Sequence, residues 1–174
     1  MPSSPSSVAE RARALLEKKA AAELPDAGRV RKGAESRRES SADAFFSALV
    51  EGAFLVAAAD GELSEDEEVT LAETISHVTG EVLAPDEFVA MIDAYAEALS
   101  EDGVARRLEV LAEQLPDAPA RREVLAFASL LALCDHNLVD DERGMLFAMG
   151  KAFALDDAAV RSVIEGVEAS LSEK

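Results

Sequence analysis

The chain has 174 residues, 49% of them hydrophobic, with aromatics at 5% and no tryptophan. It is long enough to bury a core and too apolar for a disordered chain, and its Ala, Leu and Val suit helix packing better than a β-sandwich. One cysteine, Cys134, excludes an internal disulfide framework and a cysteine-rich zinc site, and a net charge of −18 opposes nucleic-acid phosphates and anionic lipid.

The charge is uneven. Residues 1–40 hold nine Lys or Arg against six Asp or Glu, a balance of +3, which leaves −21 for the remainder. A field of that sign attracts cations or basic partners. The longest apolar run, Ala53 to Ala59, is too short to span a bilayer, and the N-terminus has no apolar leader core. A cytoplasmic protein without membrane insertion is the expectation.

In chain order, residues 1–6 read as a disordered tip and Val8 to about Glu23 as a short helix stopped by Pro25. Residues 26–41 are polar without an apolar period and read as a linker, so the globular domain is placed at 41–174 behind a basic, partly disordered segment at 1–40. Asp43 to Ala59 is apolar almost all round, broken by Ser47 and Glu51, as suits a helix at the centre of a bundle. Ser64 opens a second helix to about His77, and Pro85–Asp86 a third. Gly103 separates a fourth, and Pro116 to Pro119 forms a turn. A second apolar helix covers Val124 to Cys134, a sixth helix Asp140 to Phe153, and Asp156 caps a seventh ending near Leu171. No stretch alternates with period two. The expected fold is an all-α, seven-helix bundle.

The two apolar helices lead into matching sequences, AFLVAAADGELSEDEEVTLAETI from Ala53 and ASLLALCDHNLVDDERGMLFAMG from Ala128, at a constant offset of 75 residues. The match pairs Asp60 with Asp135, Glu62 with Asn137, Leu63 with Leu138 and Glu67 with Glu142. Two copies suggest a pseudo-twofold bundle with the apolar helices packed as its centre.

A carboxylate such as Asp60 at the C-terminal end of a helix opposes the macrodipole unless a cation compensates it. The oxygen-bearing set Asp60, Glu62, Glu67, Asp135, Asn137 and Glu142 suits a hard divalent ion, Ca²⁺, Mn²⁺ or Mg²⁺, bound weakly. DGELSEDE matches the second half of an EF-hand loop, but Val56 and Ala58, and Leu131 and Leu133, stand where its first ligands belong, so neither loop is a complete EF-hand. Capping competes with this reading. Ser64 and Glu67 form a capping-box pattern, and Gly61 suits the left-handed residue that ends the preceding helix. In the second copy Val139 replaces Ser64 and His136 replaces Gly61, yet Asp135 and Glu142 remain, which argues for a role beyond capping.

The apolar helix followed by AAADGELSEDE, and again by LCDHNLVDDER, resembles the TerB-like family of tellurite-resistance-linked domains over about residues 42–172. The resemblance implies an all-helical domain with acidic patches, divalent-metal binding and a part in stress-response complexes rather than catalysis. By that likeness Asp60, Glu67, Asp135 and Glu142 are the functional acids; His136 departs from the glycine expected after the aspartate. The alternative is a protein-binding adaptor whose loops only cap helices and whose residues 1–40 order on a partner.

Other chemistry fits less well. His77 and His136 lack the preceding glutamate of a di-iron Glu-x-x-His, and Cys134 beside Asp135 reads as an inert thiol. There is no phosphate loop, nucleophile elbow or triad spacing, so no enzyme is expected. Arg106–Arg107 and Arg121–Arg122 read as solvated faces pairing with neighbouring acids, too sparse for nucleic acid.

Overall fold

A computed structural model describes residues 31–61, 63–79, 84–133 and 138–172. These form six α-helices, which we label α1 (Arg31–Ala57), α2 (Glu65–Thr79), α3 (Pro85–Gln114), α4 (Ala118–Ala132), α5 (Asp140–Ala152) and α6 (Asp157–Ser172). Among the described residues there is no strand, so the all-α reading holds. The expected count of seven gives way to six because the third and fourth helices run as one element, α3. The predicted break is nonetheless present within it: Gly103 leaves the helical region at φ 75°, ψ 162°. The expected N-terminal helix at Val8 to Glu23 lies outside the described residues.

Two boundaries move. Helix α1 begins at Arg31 rather than Asp43, so it runs through much of the stretch read as linker. That stretch has no apolar period, but its Arg, Lys, Ala and Glu are good helix formers, and intrinsic propensity continues a helix that packing secures further on. Helix α4 begins at Ala118 rather than Val124, because Asp117 caps it: the Ala120 N–H donates to Asp117 Oδ1 at 2.8 Å. The cap expected at Asp156 is also formed, the Ala159 N–H donating to its Oδ1 at 2.7 Å.

The most extensive helix pair is α1 with α4, the two apolar helices, which form the centre as their all-round apolar sequence requires. Val50, Ala53 and Leu55 of α1 and Val124, Leu125 and Ala128 of α4 are buried there. Gly52 permits the close approach; a Cβ at that position would stand 2.8 Å from Val124 Cγ1. Helix α1 also packs against α2, α3 and α5, and α4 against α5 and α6. No helix among the described residues is long and apolar enough to cross a membrane.

Arg121, read as a solvated residue pairing with acids, does something else. Its Nη2 donates to Ala112 O of α3 at 3.1 Å and its Nη1 to Phe153 O, just past α5, at 3.3 Å. One guanidinium thus caps the C-terminal carbonyls of two helices, where a positive charge also complements the helix dipoles. Helix α5 then closes in a Schellman motif. The Leu155 N–H donates to Gly150 O at 2.9 Å and the Ala154 N–H to Lys151 O at 3.1 Å. The left-handed position of that motif is held by Ala154 at φ 57°, where glycine avoids the Cβ clash. Ala154→Gly should therefore raise stability by about 0.5–1 kcal/mol, the strain relieved exceeding the added chain entropy. A higher thermal midpoint for the variant is the expected readout.

Candidate functional site

The two acidic loops begin where the central helices end. After α1, Ala58 to Asp60 turn and Gly61 adopts φ 102°, the left-handed region expected for it. Asp60 and Asp66 are exposed. The capping box is complete: the Ser64 N–H and Oγ–H donate to Glu67 Oε2 at 2.8 and 2.7 Å, and the Glu67 N–H donates to Ser64 Oγ at 3.3 Å.

The second loop repeats half of this arrangement. The Val139 N–H donates to Glu142 Oε2 at 3.1 Å, although the valine side chain can return nothing. The first helical bonds keep the same register, Glu68 N–H to Ser64 O at 2.9 Å and Arg143 N–H to Val139 O at 3.0 Å. Glu142 is therefore retained in a capping role that needs only a backbone N–H from its partner. This corrects the argument that losing the Ser64 equivalent leaves Glu142 without a capping function. Burial repeats at the same offset: Val50 and Leu125, Ala53 and Ala128, and Leu71 and Leu146 are all buried.

Of the six candidate ligands, Asp60, Glu67 and Glu142 are described, and Glu62, Asp135 and Asn137 lie outside the described residues, as do Cys134 and His136. Among the described residues, no group of three or more His, Cys, Asp or Glu side chains is placed to hold a metal ion. What the loops do present is carboxylate beside apolar surface. Exposed Asp140 and Asp141 follow Val139, itself 50% exposed, and Asp66 lies three residues before Val69, 55% exposed, on one face of α2.

A second polar cluster joins α1 to α3. Glu51 is 2% exposed inside the apolar face of α1. Its Oε1 accepts from Arg107 Nε at 2.9 Å and from Arg107 Nη2 at 2.5 Å, and Arg107 Nη1 donates to Asp102 Oδ2 at 3.1 Å. Burial works against the Arg107 charge, but the bonds to Glu51 and Asp102 outweigh it and hold the guanidinium pKa above its ordinary value. Arg107 is thus no solvated face. Its neighbour Arg106 is, pairing with exposed Glu109 at 3.1 Å and Glu113 at 3.6 Å. The signal for the buried pair was the lone carboxylate in an otherwise apolar helix.

Next to this pair, the Tyr95 hydroxyl donates to Ser47 O at 3.1 Å and accepts from Ser47 Oγ at 2.8 Å, and its ring lies 6.0 Å from that of Phe54. Burial raises the phenol pKa above its ordinary 10.0; the Ser47 hydrogen bond lowers it, the Glu51 charge raises it and the Arg107 charge lowers it. A raised pKa favours the protonated phenol in the fold. That contribution is complete below pH 10, the unfolded value, and is lost as pH rises through the folded value. Tyr95 is the only tyrosine. Tyrosinate absorbance should therefore titrate in one step above pH 10 in the native protein and near 10 in denaturant. Superimposed native and denatured curves would contradict the burial argument.

Comparison with known proteins returns no matching family model, no matching curated protein and no matching solved structure.

Proposed function

We propose that this chain is a non-enzymatic binding module that docks basic protein partners through its two acidic helix starts, at residues 60–69 and 135–142. The observation that carries this reading is the paired geometry: in each copy a glutamate caps the helix from within while aspartates beside it face solvent. An exposed valine lies near each, Val69 within α2 and Val139 just before α5, at positions the repeat does not pair. An apolar contact ringed by carboxylates suits a basic amphipathic surface, with the charge steering encounter and the valines supplying buried area. The TerB-like resemblance, with its stress-response and tellurite-resistance setting, belongs to the same proposal, as does a pseudo-twofold relation between the halves. The constant 75-residue offset in caps and burial supports that relation.

Weak binding of Ca²⁺, Mn²⁺ or Mg²⁺ is the second reading. Since Glu67 and Glu142 serve the caps, it turns on Asp60 and Asp135. Cross-linked partners of the full chain should disappear at high salt and in Asp66→Asn/Asp140→Asn/Asp141→Asn, with the thermal midpoint little changed. Partners that survive both treatments would defeat the docking proposal. Calorimetric titration with each metal, against Asp60→Asn/Asp135→Asn, tests the second reading; equal or absent heats in the two proteins remove it.

A further inference from the structure

Helix α3 is anchored unevenly on either side of Gly103. Beyond the glycine, Leu108, Leu111 and Ala112 are buried, and Leu115 closes the helix into the core. Before it, the longer half from Pro85 to Asp102 buries Phe88 and Ile92, with Met91, Tyr95 and Leu99 half-buried. Between the halves Gly103 holds φ 75°, ψ 162°, a conformation essentially restricted to glycine. A Cβ there would meet nothing within 4 Å, so the backbone alone requires the residue.

Among the described residues, few polar links hold the longer half closed. Asp102 bonds Arg107 across the break at 3.1 Å, and Asp102 is 40% exposed. Tyr95 bonds Ser47 of α1. The buried charge pair belongs to the other half: Glu51 and Arg107 lie on α1 and on the anchored part of α3. Releasing the longer half therefore leaves the Glu51–Arg107 pair intact, and Arg107 gives up only its bond to the more exposed Asp102. Sparse burial and a glycine pivot are the features of a segment that opens below the global unfolding free energy.

We propose that Pro85–Asp102 is a hinged arm that swings about Gly103 away from α1 as a unit, latched by the Asp102–Arg107 and Tyr95–Ser47 contacts. The closed state is the one described. The open state uncovers the face of α1 around Ser47 and Phe54, which Tyr95 covers in the closed state.

Native-state hydrogen exchange of the full chain, followed by mass spectrometry with increasing low denaturant, tests this. In the parent protein, residues 85–102 should exchange through an opening that precedes that of residues 104–114 and of α4. Tyr95→Phe should speed exchange of 85–102 by about tenfold and Asp102→Asn by about two- to fivefold, leaving α4 to α6 unchanged. Exchange of 85–102 in step with 104–114 would overturn the hinge. Variants that speed all helices alike, or none, would overturn the latch.

Discussion

Arg107→Met is expected to lower the free energy of unfolding by about 3 kcal/mol or more, because it leaves the Glu51 carboxylate buried without its counter-charge. The size follows from where each partner sits. Glu51 has a side chain 3% exposed and Arg107 one 14% exposed, so water replaces little of the lost interaction. The other leg of the cluster is different: Asp102 is 40% exposed, and Asp102→Asn should cost less than about 1 kcal/mol. The pair itself is not a large net source of stability, since both charges were desolvated to form it. Glu51→Leu/Arg107→Met should therefore stand within about 1 kcal/mol of the parent, or above it. Urea unfolding of the three variants separates these cases. If Arg107→Met costs no more than Asp102→Asn, the buried pair does not tie α1 to α3.

How far the sequence disclosed this arrangement depends on the range of the interaction. Features set by a few neighbouring residues were legible: the Ser64–Glu67 capping box, the left-handed Gly61, the break at Gly103 and the cap at Asp156 all depend on local backbone geometry. The central pairing of α1 with α4 was legible for another reason, that a helix apolar all round has to be enclosed. The Glu51–Arg107 pair joins residues 56 positions apart, and no periodicity connects them. The sequence showed a carboxylate that needed a partner without saying which cation would supply it. Glu142 misled for a physical reason. Its capping bond is made to a backbone N–H, which Val139 provides as well as Ser64 does, so the change of side chain carried no information about it. The start of α1 at Arg31 was obscured because helix propensity without an apolar stripe resembles a charged linker.

The second large effect concerns one substitution made twice in α5. Gly144 is exposed, and a Cβ there meets nothing within 4 Å, so Gly144→Ala should gain about 0.5–1 kcal/mol from helix propensity alone. Gly150→Ala has the same propensity gain, but its Cβ would fall on the Val160 side chain of α6, inside any permitted carbon–carbon separation. Gly150 and Val160 are both buried, and valine is too short and stiff to move aside. An overpacking cost of about 1–3 kcal/mol or more then exceeds the gain, leaving a net loss of about 1–2 kcal/mol. Shortening the neighbour tests the cause directly: Gly150→Ala/Val160→Ala should be more stable than the sum of its single variants by about 1–2 kcal/mol. Additive losses would place the damage elsewhere. The same contact shows how the two copies have diverged. Ile75 occupies the position equivalent to Gly150 in α2, whose packing is against α1, whereas α5 is pressed against α6 as well as the centre. A large side chain at position 75 fills space that position 150 has given up to a neighbouring helix.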